Sequence, residues 1–109
     1  MIDGLYAVHF RTAGNEGTGV VSVVNGSVNG GDAGYSYQGQ LTETGQGVKS
    51  TLTVARYNPK TESIFGPAES FELEVSGPTS DRSFELSGNV KDSPAHKVDI
   101  SGHYLKPLV

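Results

Sequence analysis

Cysteine is absent from the 109 residues, which excludes disulfides, thiolate nucleophiles and cysteine-based zinc sites. Tryptophan is absent and methionine occurs once, so a core has to be filled by Val, Leu, Phe and Tyr. No apolar run approaches the roughly 20 residues of a membrane-spanning helix. The opening Met1-Ile2-Asp3-Gly4 lacks the basic stretch and apolar run of a secretion signal, and the expected location is the cytoplasm. Cations are sparse as well: 8 Lys and Arg stand against 12 Asp and Glu, giving a net charge of −4. Nucleic-acid binding draws on clustered cations that displace counterions from phosphate. These cations are scattered, so direct nucleic-acid binding is not expected, and a basic protein partner suits the charge better.

A sustained apolar period of 3.6 is also missing. What the chain has in abundance is glycine, 15 in all, and short stretches of alternating polarity broken by Gly, Asn, Asp and Pro. Eight strands follow from this pattern. The first runs from Gly4 to Thr12, with Tyr6, Val8 and Phe10 on one face. The second runs from Gly17 to Asn25 and ends at Asn25-Gly26, a dipeptide suited to the positive φ angles of a type I′ hairpin turn. The third covers Ser27 to Gly30, the fourth Tyr35 to Thr42 and the fifth Val48 to Tyr57. Glu69 to Ser76, Arg82 to Val90 and Lys97 to Lys106 complete the set. Every connection is short except Asn58 to Ala68, so consecutive strands pair antiparallel. Glycines inside strands four, seven and eight (Gly39, Gly88, Gly102) permit the sharp bends of a small barrel. The reading is one all-β domain over residues 1–109, a closed eight-stranded antiparallel up-and-down barrel of the lipocalin-like kind. A two-sheet sandwich would need longer crossovers.

Three ordered stretches resemble a known family. Asp3-Gly4-Leu5-Tyr6 followed by Phe10 opens the chain. Gly30-Gly31-Asp32, then Tyr37-Gln38-Gly39, and then Arg56-Tyr57-Asn58 occupy the middle. Val98-Asp99-Ile100 with Pro107-Leu108-Val109 closes it. Together they resemble the GrlR family, lipocalin-like barrels named for a negative regulator of type III secretion genes. The resemblance implies a β-barrel, a homodimer, and regulation by sequestering a transcriptional activator. It also implies contact with the activator through an acidic run in the loop after strand four. Here that loop reads Thr42-Glu43-Thr44-Gly45-Gln46, with the single carboxylate Glu43.

Catalytic and metal-binding residues are not expected, nor a cofactor. The stretch Gly14 to Gly19 leads into a valine-rich strand rather than a helix, so it is a hairpin turn and not a phosphate loop. His9 and His103 share the outer face as a surface pair. Asp32 bonds its own turn backbone. Glu72, Glu74 and Glu85 alternate with core residues and form a solvated face. The partner-binding candidates are Glu43 and the loop pair Ile64 and Phe65. On strand two, Val20 and Val24 share one face and Val21 and Val23 the other, so one pair points outward. Leu5, Ala7, Val21, Val23 and Leu105 are the dimer-interface candidates. Tyr6, Tyr35, Tyr37, Arg56 and Tyr104 are candidates for a pocket at the barrel interior, with room for a short acyl chain at most. Two functions follow as alternatives: a regulatory protein-binding module, or a carrier of a small apolar ligand such as a fatty acid or monoacylglycerol.

Overall fold

The computed structural model describes residues 1–61 and 69–109. Its strands are β1 (Gly4–Thr12), β2 (Asn15–Val24), β3 (Ser27–Gly31), β4 (Tyr35–Gln40), β5 (Thr42–Thr44), β6 (Gly47–Arg56), β7 (Ser70–Gly77), β8 (Ser83–Val90) and β9 (Ser93–Lys106). All pairings are antiparallel and sequential apart from two closures. β1 pairs with β9, setting Tyr6 opposite Tyr104, Val8 opposite Gly102 and Phe10 opposite Ile100. β4 pairs with β6. The result is a closed eight-stranded up-and-down barrel with β5 as an extra short strand.

β5 is a continuation of β4. Both lie along β6, from Tyr35 opposite Arg56 to Thr44 opposite Gly47, and the ladder lapses from Gly39 to Leu41. There the Leu41 N–H turns away to the Gly26 carbonyl at 2.8 Å, which splits the expected Tyr35 to Thr42 strand in two. β9 begins at Ser93, ahead of the expected Lys97. Pro94 is tolerated because β9 has no β1 neighbour before Asp99 and bulges against Val90. The β2–β3 turn is as expected, with positive φ at Asn25 and Gly26.

Strand alternation sends Val, Leu, Phe and Tyr inward along every barrel strand. Tyr6, Val8, Phe10, Val21, Val23, Val54, Leu73, Phe84, Leu86, Val98 and Ile100 are all buried in one cluster. Aromatic rings fill the space that glycines leave open. The Phe84 ring lies over Gly102, where any Cβ would overlap it. Phe84 in turn packs against Tyr6, with ring centroids 5.9 Å apart. Gly102→Ala is expected to cost about 1–3 kcal/mol through overpacking. Phe84→Ala is expected to cost about 3–5 kcal/mol through the cavity it leaves. Chemical denaturation of both variants checks this; a loss near zero at Gly102 would show that the ring does not sit on the glycine.

Candidate functional site

The Gly30-Gly31-Asp32 turn sits at the end of the barrel where the β1–β2, β3–β4 and β8–β9 connections gather and where β6 ends and β7 begins. One oxygen of Asp32 accepts the N–H groups of Gly34 and Tyr35, each at 2.8 Å. The other accepts the Tyr37 hydroxyl. The Asp32 carbonyl accepts the Tyr57 hydroxyl. Tyr57 and Asn58 also donate their backbone N–H groups to the Gly34 carbonyl. The Gly-Gly-Asp and Arg-Tyr-Asn stretches are therefore two halves of one clamp. Beside it the Arg56 guanidinium meets Glu69 at 3.3 Å, its side chain 20% exposed. Asp32 bonds its own turn, as expected, and braces a second segment besides.

The opposite end is shut in a similar way. The buried Tyr6 hydroxyl donates to the Ile2 carbonyl at 2.6 Å, and the Ile2 N–H donates to the Asp81 carbonyl at 2.8 Å. Tyr104 meets Tyr6 edge-on with centroids 5.6 Å apart, and the Arg82 guanidinium lies 5.0 Å over the Tyr104 ring. The pocket candidates are thus divided between two ends: Tyr35, Tyr37 and Arg56 at one, Tyr6 and Tyr104 at the other. Among the described residues, the void between these ends that Val8, Phe10, Tyr37, Leu52 and Phe84 line measures about 20 Å³. Ligand pockets run to roughly 300–1,000 Å³, so this void is too small for an acyl chain.

The outer surface is divided in character. β2, β1 and β9 present Val20 and Leu105, 46% and 50% exposed, with Val24 and the half-buried Leu5 and Ala7. Val21 and Val23, offered as interface residues, are instead 2% and 1% exposed and belong to the core. The reason is register. Ala13 and Gly14 make a tight turn with Thr12 opposite Asn15, which puts Val21 opposite the inward Tyr6 and Val20 opposite Ala7. Leu105 reaches this face through a bulge in β9 opposite Leu5 and Tyr6.

Glu43 is exposed on β5. Ile64 and Phe65 lie outside the described residues. His9 pairs with Glu16 at 3.0 Å rather than with His103, which is exposed one register step away opposite Ala7. No group of three His, Asp or Glu that could hold a metal occurs among the described residues. Two features escaped the sequence reading: the role of Tyr57, and an open trough of about 710 Å³ across β6, β7 and β8. The Arg56-Tyr57-Asn58 motif was a signal for the first. The second depends on sheet curvature, which no local motif reports.

Burial raises the Tyr37 phenol well above its ordinary 10.0, and the hydrogen bond to Asp32 adds to this. Tyr6 is raised chiefly by burial as well. Because these folded-state values lie above the unfolded one, their stabilisation is complete below pH 10 and lost as pH climbs beyond it. Of the five tyrosines, Tyr6 and Tyr37 should therefore give phenolate absorbance only as the protein unfolds in alkali. Tyr37→Phe should remove one phenol from that step, whereas smooth titration of all five before unfolding would contradict the clamp. Asp32→Ala should cost roughly 1.5–3 kcal/mol, and less in a Tyr37→Phe background, where no buried phenol is left unpartnered.

Comparison with known proteins places the chain. No curated protein matches it. A family model described as T3SS negative regulator, GrlR, matches residues 1–108, essentially the entire length. This match shows that the chain belongs to the GrlR family of type III secretion negative regulators.

Proposed function

We propose that this protein restrains type III secretion genes as a stoichiometric, non-catalytic regulator that binds a basic transcriptional activator in the cytoplasm. The observation that carries this reading is the packing of the barrel: among the described residues the interior void is about 20 Å³ and side-chain hydrogen bonds tie both ends, which leaves the outer surface for recognition. Family membership supplies the negative regulatory role. The net charge of −4 supports a basic partner, because complementary charge steers encounter and suppresses wrong partners. The packed interior disfavours the apolar-ligand carrier, which would have to open the core to load.

The protein acts as a homodimer in this proposal, through the face formed by Leu5, Ala7, Val20, Val24 and Leu105. An apolar patch spread over three adjacent strands suits a self-complementary interface. Glu43, on a free-edged strand, remains a partner-contact candidate.

Two measurements test the proposal. Deleting the gene should raise transcription from type III secretion promoters, and raising the activator's dose should cancel repression in proportion, as titration requires. Repression that persists at a large excess of activator would contradict a stoichiometric mechanism. Sedimentation should give a dimer that Val20→Glu with Leu105→Glu converts to a folded monomer. A monomeric native protein at micromolar concentration would remove the dimer from the proposal.

A further inference from the structure

On the side of the barrel away from the apolar face, the outer surface of β6, β7 and β8 sinks into the open trough of about 710 Å³. Two register rows run across it. Thr42 of β5, Lys49 of β6, Ser76 of β7 and Ser87 of β8 form one. Thr51, Glu74 and Asn89 form the other. Gly88 marks the floor, where β7 comes so near that a Cβ would collide with the Glu74 carbonyl. At the base the Ser50 hydroxyl is buried and has no hydrogen-bond partner among the described residues.

The chemistry of the lining narrows the occupant. No aromatic side chain lines the trough, so a base, a sugar ring or an apolar tail has no platform on which to stack. Hydroxyls and amides dominate, which suits a polypeptide backbone with polar side chains. Among the outward charges of β6, β7 and β8, Glu72, Glu74 and Glu85 outnumber Lys49, and of these Glu74 and Lys49 line the trough itself. Strands spaced about 4.8 Å apart make the trough roughly 15 Å across, the length of about five extended residues.

We infer that this trough is the docking site for an extended, basic segment of the protein partner, with a Lys or Arg of that segment set against Glu74. The inference rests on the regulatory reading above and assigns it a surface. Hydroxyl and amide side chains of Thr51, Ser76 and Asn89 take the segment's polar groups, and the Glu74 carboxylate selects its charge. The surface meets the Thr42 to Gln46 stretch only at Thr42, and Glu43, opposite the inward Val48, lies off the trough.

The test uses the full chain and a synthetic peptide of about eight residues alternating arginine and threonine, with a glutamate–threonine peptide as control. Amide resonances of Thr51, Glu74, Ser76 and Asn89 should move with the basic peptide and stay put with the acidic one. Glu74→Lys should weaken binding at least tenfold, and Thr51→Trp should abolish it by filling the trough. Both positions are exposed, so each variant should keep the native amide spectrum elsewhere. Equal affinity for Glu74→Lys, or shifts confined to β1, β2 and β9, would overturn the inference. So would full repression by both variants in the promoter assay, an outcome that leaves the regulatory reading standing with a different contact surface.

Discussion

A carboxylate with three donors and a carbonyl with a fourth hold one end of this barrel together. Asp32 fixes its own turn through Gly34 and Tyr35, takes the buried Tyr37 phenol, and carries the Tyr57 hydroxyl on its carbonyl. A buried phenol without a partner is costly, so Tyr37 can fill the core beneath the turn only because Asp32 is there. Its ring then packs on Phe10, 4.7 Å away between centroids, and links the clamp to β1. Tyr6 does the same at the far end, with backbone carbonyls as its acceptors. Small domains gain little from a thin core, and rings tied at both ends give this one density where a wider barrel would keep a cavity.

Closing and filling the barrel shape what it can do. An eight-stranded barrel is just wide enough either to hold one small ligand or to be packed by its own side chains, and the described residues here pack down to a void of about 20 Å³. In the proposed function recognition falls to the outer faces, which differ: apolar on β2, β1 and β9, polar on β6, β7 and β8. The regulator proposed above, which pairs with itself and also captures a partner, would need two such surfaces that do not compete. Placing them on opposite sides of a rigid closed sheet is a direct way to obtain them.

Much of the architecture was legible in the sequence because alternation, short turns and Asn25-Gly26 act locally. Phe71-Glu72-Leu73-Glu74-Val75 declares both its period and its inward face within five residues. The facing of β2 was not legible. Four valines in five positions carry no alternation, and starting the strand at Gly17 left the preceding turn too long to set a register. Recognising Ala13-Gly14 as the turn would have assigned Val21 and Val23 to the core. The division of the tyrosines between two ends, and the sinking of the trough, arise from pairings between residues far apart in sequence. Asp32 and Tyr57, 25 positions apart, meet only after β4 has closed on β6.

The claim that function resides on the outside of a filled barrel can be measured on protein purified from its native host under type III secretion-inducing conditions. Native mass spectrometry should give the mass of the bare polypeptide, in whole-number assemblies with itself or with a second protein. Extraction of the same sample with organic solvent should release nothing in stoichiometric amount. A fatty acid, monoacylglycerol or other small molecule carried at one per chain would contradict a packed interior and the surface-based function built on it.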